Sequence, residues 1–501
     1  MNNIVKTNYF VNELMCEKNI EQAIDCEINL PDYCGDISRV LQCFAFPNIT
    51  SSSVMAERIS IEGTTLVRLL YVSEGEIFSY EQNCPFSAQV DISCTSVGAA
   101  LELSTSLQYV NCRAASSRRA EVHGAFVINA KLTSCNKKEV IDKINDDNMQ
   151  IRRDTITACS ASGNAYSLIN VNQVVDIGTA KSQIKSILRN VAFADIIETK
   201  QVYNKILVKG ELIIKTLYKS EDETIESIEN NLPFSQILDV EGVDEDSTVD
   251  LKAELTSLEI AVKPTALGNM SLMDIEAVIM VNACSYNCID FPVLKDAYST
   301  VCESKCSFRN VEVDRIISSV SESFVHSFNI SLNGSIIKAI DVWCEQIKAT
   351  SKYENGELCF SGSLSGFVLY EDNNNELKLK EEKSEYCFKK SFSDITNAKC
   401  SPSVKITGCD YTLTDNGVDI RVKIKISAVI FEKCNEKVVE DIILGDSPLK
   451  KSSSLIIYYA KAGDELWDIA RHFGTTVDKI MAENDLESDT INNSEPLMIW
   501  S

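Results

Sequence analysis

The feature that most constrains this chain is that it repeats itself. A glycine sits in the middle of an alternating apolar run at Gly63, Gly210 and Gly362, and eight residues after each comes a tyrosine, at Tyr71, Tyr218 and Tyr370. Ile206, Val208, Gly210, Leu212 and Ile214 alternate with period two, as do Leu358, Phe360, Gly362, Leu364, Gly366 and Val368. Period two is the side-chain period of a strand, so each block is expected to be extended. A glycine inside so long a run predicts a bulge or bend that joins two parts of a sheet or sandwich.

Further matched signals follow each block. An acidic turn, Ser73-Glu74-Gly75-Glu76 in copy one and Ser220-Glu221-Asp222-Glu223 in copy two, precedes Pro85-Phe86 and Pro233-Phe234, which copy three weakens to Cys387-Phe388. Near the end of each copy a second alternating strand recurs: Val122, Gly124, Phe126, Ile128; Ile275, Ala277, Ile279, Val281; Ile420, Val422, Ile424, Ile426. Two residues later stands Ala130, Ala283 or Ala428. The opposite face of the third, Asp419, Arg421, Lys423 and Lys425, suits a half-solvated antiparallel strand. These positions describe core and turn geometry, a fold rather than a site. The expected fold class is mostly β: three tandem β-sandwich-like repeat domains over residues 1–155, 156–312 and 313–450. Polar stretches, Asp142-Lys143-Ile144-Asn145-Asp146-Asp147 and Asp446-Ser447-Pro448-Leu449-Lys450-Lys451, flank the first and last of them.

A chain of 501 residues is too long for one core, and 45% hydrophobic residues are enough for several. Its formal charge of −25 repels phosphate backbones and anionic headgroups, so nucleic acid is not an expected partner. The start, Met1-Asn2-Asn3-Ile4-Val5-Lys6, lacks the apolar run of a signal peptide. No stretch reaches the ~18 apolar residues of a membrane span. A cytoplasmic location without membrane insertion is expected, and there the 19 cysteines, an odd number, should remain thiols.

The last fifty residues change period from strand to helix and back. After Leu455-Ile456-Ile457-Tyr458-Tyr459 and Gly463-Asp464, the apolar residues Leu466, Ile469, Ala470 and Phe473 fall at i, i+3, i+4 and i+7, an amphipathic helix that Asp464 is placed to cap. Gly474 suits a left-handed helix end, Thr475-Thr476 can start a second helix with Val477, Ile480 and Met481 as its stripe, and Pro496-Leu497-Met498-Ile499-Trp500 closes as a strand. This small α/β unit of order βααβ resembles LysM domains. Ala462-Gly463-Asp464-Glu465-Leu466-Trp467-Asp468-Ile469-Ala470 is similar to their signature, and Gly474-Thr475-Thr476-Val477 with Ile480 and Asn484 to their second helix.

The resemblance, over residues 455–501, implies a shallow groove for N-acetylglucosamine units of peptidoglycan or chitin. Gly463, Asp464, Glu465 and Leu466 would line one side, Asn484, Asp485, Leu486 and Ile491 the other, and Trp467 would be a stacking platform or a core residue. Two departures turn the expectation from sugar towards a protein ligand. Glu465 replaces the usual Thr or Ser, and Asn493-Ser494-Glu495 the usual Pro-Gly-Gln. The unit holds three basic residues against nine acidic ones, a rim that suits a basic protein surface.

Tandem β units followed by one such module resemble the clostridial SpoIVA-interacting protein L (SipL) family, whose repeated units are called SPOCS domains. Leu217-Tyr218-Lys219-Ser220 through Leu232-Pro233-Phe234 and their counterparts carry the resemblance. It implies a spore coat scaffold in the mother cell, docked through its LysM domain to the coat ATPase SpoIVA on the forespore surface. The alternative is a peptidoglycan-binding protein of the cortex or wall.

Enzymatic chemistry is not expected. The three histidines, His123, His326 and His472, fall in different units, and Gly362-Ser363-Leu364-Ser365-Gly366 has Leu where a nucleophile elbow needs Ser. No cofactor is implied. The one metal candidate is Cys284, Cys288, Cys302 and Cys306, four thiols spaced more loosely than a zinc knuckle.

Overall fold

The computed structural model describes residues 3–55, 57–92, 100–332, 336–392, 395, 397–415, 417–449, 455–491 and 494–500. The first repeat holds β1 (Asn3–Asn29), β2 (Arg39–Met55), β3 (Arg58–Ser73), β4 (Glu76–Asp91), β5 (Ala100–Ser116) and β6 (Arg119–Asn145). The second holds β7 (Met149–Asp176), β8 (Ile184–Val202), β9 (Lys205–Ser220), β10 (Ile225–Asp239), β11 (Thr248–Pro264) and β12 (Met270–Ser299). The third holds β13 (Cys302–Ser331), β14 (Ile336–Glu354), β15 (Glu357–Asp372), β16 (Leu377–Ser391), β17 (Ala398–Lys399), β18 (Ser403–Thr414) and β19 (Gly417–Pro448).

Each repeat makes two antiparallel sheets. One has the order β1-β6-β5, repeated as β7-β12-β11 and as β13-β19 with β17 and β18 on β19. The other has the order β2-β3-β4, repeated as β8-β9-β10 and β14-β15-β16. The two sheets share a core: Ile59, Ile61, Val67 and Tyr71 of β3 meet Val122, Phe126, Ile128 and Ala130 of β6, and the other repeats do the same. The expected sandwiches are present, and the alternation that announced them is their in-and-out pattern.

The central glycines are explained by a close approach rather than by a bend. β3 runs unbroken through Gly63, and the bulge lies in the neighbouring strand, between Ile49 and Ser51; Gly210 stands opposite the same kind of bulge, between Ile196 and Glu198, whereas in copy three the irregularity lies between Glu345 and Lys348, next to the Ala349 that pairs with Gly362 rather than opposite it. A Cβ at Gly63 would overlap the Asn48 carbonyl and the Phe86 ring; at Gly210, the Asp195 carbonyl and Phe234. At Gly362 the partners are the Lys348 carbonyl and the Tyr386 hydroxyl, so Tyr386 and not Phe388 takes the aromatic place in copy three.

The three sandwiches close into a ring. Asn48 of β2 donates to the Thr256 carbonyl of β11 at 2.7 Å. Asp195 of β8 binds Lys405 of β18 at 2.7 Å, and Lys348 of β14 donates to the Leu107 carbonyl of β5 at 2.9 Å. The same edge of each repeat therefore meets the same edge of the next, round to the start. Phe44, Leu70, Leu188, Leu217, Trp343, Phe367 and Leu369 meet at the centre. This second covered face is why β3 alternates up to Leu66 and then stays buried from Val67 to Ser73.

The distal halves of the long strands leave the sandwiches as two-stranded ribbons, β1 with β6, β7 with β12 and β13 with β19, and pack on one another. Tyr9, Val11, Val140, Ile156, Phe291, Val293, Val311, Val313 and Val438 form one of their shared cores. Ile141, Ile144, Met149, Leu294, Ala297, Val439 and Ile442 form the next. The polar stretch at 142–147 is strand as far as Asn145, and positions 155 and 312 lie inside β7 and β13; we propose divisions at 146–148 and 300–301, between strands. Cys159 and Cys288, paired across β7 and β12, are joined as a disulfide, which corrects the expectation that all cysteines remain thiols.

Candidate functional site

The C-terminal unit is β20 (Ile456–Ala460), α1 (Leu466–Phe473), α2 (Val477–Glu483) and β21 (Glu495–Ile499), with β20 antiparallel to β21. Ala460, Leu466, Ile469, Ala470, Ile480, Ile491, Leu497 and Ile499 are its core. Gly474 ends α1 in the left-handed region at φ 63°, and the Thr476 hydroxyl caps α2 by accepting from the Lys479 amide at 3.2 Å. The first helix starts one residue later than its capping pattern predicts. Glu465 is the N-cap residue and makes no side-chain cap, while the Asp464 carboxylate accepts from the Lys461 amide at 2.9 Å.

The two loops that would border a groove are tied to each other. Gly463 donates to the Ile491 carbonyl at 2.8 Å, Ile491 to that of Asp464 at 3.0 Å, and Leu466 to that of Asp489 at 2.8 Å. Leu466 and Ile491 are buried, so their side chains belong to the core and their backbones to the loops. Asn484 spends its amide inside the unit, donating to the Ile480 and Met498 carbonyls at 2.8 and 2.7 Å and accepting from the Met498 amide at 2.6 Å. Of the expected lining, Asp485 is exposed and Leu486 half-buried.

Glu465 and Trp467 of the expected lining face the rest of the chain. The Arg152 guanidinium of β7 donates to the Glu465 carboxylate at 2.6 Å. The Trp467 indole N–H donates to Asp296 of β12 at 2.9 Å, and its ring stands edge-on to Tyr298 with centroids 4.9 Å apart. Arg471 binds the same Asp296 carboxylate and lies over the Tyr298 ring. Tyr298 itself is 2% exposed, part of the small core, and donates its hydroxyl to the Thr475 carbonyl at 2.9 Å; burial pushes that hydroxyl's pKa up. The module is therefore seated on the tip of the second ribbon. Arg152, Asp296 and Tyr298 carried no signal in the sequence, because their role exists only once the ribbons form. Beside them Arg152, Arg153, Asp154, Lys295 and Asp296 line an open cleft of about 500 Å3 in which each cation has an acidic partner.

What stays open is the outer face of the β20–β21 pair. Ile457, Tyr459, Met498 and Trp500 are 60%, 76%, 46% and 44% exposed, with Pro496 opposite Tyr459. A continuous apolar strip on a charged module is the kind of surface that a partner covers.

The four cysteines of the metal candidate are not gathered. Cys288 is bonded to Cys159, the Cys302 thiol lies 3.4 Å from the Ser299 hydroxyl, and Cys306 donates to the Ala297 carbonyl. Among the described residues, no group of three or more His, Cys, Asp or Glu could hold a metal ion. His123 faces Asp25 at 2.8 Å on the surface, His326 faces Ser384 at 2.8 Å, and His472 packs against Phe473. No described helix is long and apolar enough to cross a membrane.

The tandem array of two-sheet β units with a βααβ module at its end agrees with the comparison with known families. Residues 36–115 and 183–263 match the family described as SipL, SPOCS domain, and residues 458–492 match the LysM domain. This is the SipL pairing that the repeat blocks and the C-terminal signature resemble. The matched segments span β2–β5 and β8–β11, and β14–β18 repeat that topology in the third unit. No curated protein and no solved structure matches the chain. SPOCS and LysM are non-catalytic domain families.

Proposed function

We propose that this chain is a non-catalytic scaffold of the spore coat, docking through its LysM domain to a SpoIVA-like coat morphogenetic ATPase on the forespore surface in the mother cell. The observation that carries the reading is the seating of the module. Glu465 and Trp467, which a sugar-binding groove would use, are engaged by Arg152, Asp296 and Tyr298, while an apolar strip of Ile457, Tyr459, Met498 and Trp500 faces outward. The strip lies on a module with net charge −6, so the partner surface that fits it is apolar with a basic rim. The test is capture of the purified chain by an immobilised SpoIVA-type ATPase. Binding is expected with the full chain and lost when residues 455–501 are removed or when Tyr459→Glu and Met498→Glu are combined; binding that survives removal of the module would end the proposal.

The second reading is peptidoglycan binding, favoured by the LysM match and by the exposed Gly463 and Asp485. Sedimentation with purified peptidoglycan separates the two. Co-sedimentation at tens of micromolar protein, abolished by Gly463→Trp, would favour the sugar, and a clear supernatant would exclude it.

A further inference from the structure

Beyond the bonded Cys159–Cys288 pair, the thiols of the first and third units are not scattered. Cys344 of β14 and Cys409 of β18 belong to opposite sheets of the third sandwich, and their sulfurs are 3.8 Å apart. In the first sandwich Cys43 of β2 and Cys112 of β5 lie on strands that pack together at the corresponding edge, Cys26 of β1 and Cys84 of β4 on strands that pack together at the other edge, and all four thiols belong to the core the two sheets share. Cys359 of β15 and Cys387 of β16 form a fourth pair within one sheet, at 2.6 Å. Eight thiols thus fall on three sandwich edges and one hairpin.

We propose that these pairs are oxidative modification sites: the inter-sheet pairs Cys344–Cys409, Cys43–Cys112 and Cys26–Cys84, with Cys359–Cys387, close as disulfides that staple the sheets when the chain meets a peroxide. A disulfide needs the sulfurs at ~2 Å, within reach of a small side-chain rotation from the 3.8 and 2.6 Å contacts of Cys344–Cys409 and Cys359–Cys387. In the third unit the thiolate of one cysteine attacks a peroxide oxygen, giving a sulfenic acid and releasing water once the leaving oxygen is protonated. The partner thiolate then attacks the sulfenic sulfur and displaces its oxygen as a second water. Two thiols and one hydrogen peroxide thus give one disulfide and two waters. Cys409 suits the first attack: Cys344 hydrogen-bonds to its sulfur and lowers its pKa, though burial opposes this. Bond formation between sheets ties residues far apart in sequence, where cross-links constrain the unfolded chain most.

The experiment treats the folded, fully reduced full-length chain with dilute hydrogen peroxide, blocks remaining thiols by alkylation, and maps peptides without reduction. A parallel sample is oxidised in urea. Expected are Cys344–Cys409, Cys43–Cys112, Cys26–Cys84 and Cys359–Cys387 peptides in the folded sample, an unfolding midpoint in urea that rises on oxidation, and mixed pairings in the denatured sample. Cys409→Ser should lose only its own cross-link and leave Cys344 alkylated. Oxidation of these cysteines singly, or the same mixture of pairings in folded and denatured samples, would overturn the proposal. So would an intact mass that loses hydrogen for Cys159–Cys288 alone.

Discussion

Arg189 and Asp341 are the most exacting pair in the molecule. They join the second and third units at the centre of the ring, their side chains are 4% and 5% exposed, and the guanidinium lies 4.3 Å from the Trp343 ring centroid. A buried pair gains little over an apolar one, but removing one partner strands a charge in low dielectric. Asp341→Ala should therefore cost about 3 to 5 kcal/mol in urea unfolding, and Asp341→Leu combined with Arg189→Met should recover most of that loss. Close by, burial pushes the Glu345 carboxyl above the usual carboxylate range although Arg189 and Arg68 pull it down, and its Oε2 has no hydrogen-bond partner. A folded-state value above the unfolded one stabilises below the ordinary carboxylate range and loses that contribution as pH rises through the folded value. Glu345→Gln should thus raise the melting temperature relative to the parent more at pH 8 than at pH 5. An equal gap at both would mean that the carboxyl is not raised.

At the scale of the element, the glycine-centred strands and the C-terminal module make opposite demands. Gly63→Ala, Gly210→Ala and Gly362→Ala each drive a methyl into a fixed carbonyl and an aromatic side chain, so each should destabilise by roughly 1 to 3 kcal/mol or more. Gly408→Ala meets only the Lys423 Cβ at 3.6 Å and should be neutral within error in the same unfolding assay. For the module, Tyr298→Ala removes the ring beneath Trp467 and the bond to Thr475, so amide exchange should quicken in α1 and in residues 292–299 while the sandwiches keep their protection. These elements were legible to different degrees. Alternation, the recurring Gly and Tyr and the LysM signature fixed the strands and the βααβ order, because local pattern and burial agree there. The ribbons were not legible, since the stretch from Asp142 to Asn145 is mostly polar and its strand character comes from pairing with β1. The seating of the LysM domain was not either: Glu465 read as a departure from a sugar site, and its partner Arg152 lies 313 residues away in sequence.

At the scale of the whole molecule, three like units make three like junctions from unlike residues. A hydrogen bond from Asn48, an ion pair at Asp195 and a hydrogen bond from Lys348 fill equivalent places, which is why a repeat pattern predicts the units and not their closure. Heterologous contacts that return to their start form a finite ring rather than a filament. Here the ring is closed within one chain, so mass action has no hold on it. Its unfolding midpoint should stay constant over about a hundredfold dilution, whereas a midpoint that falls on dilution would mean that units of separate chains pair. Among the described residues one LysM domain occupies one of three ribbon tips, so on the proposed reading each ring presents one strip for a partner however concentrated it becomes. In a layer built from such particles the ring would be a monovalent terminus rather than a branching node, and the extent of the layer would be set by whatever polymerises beneath it.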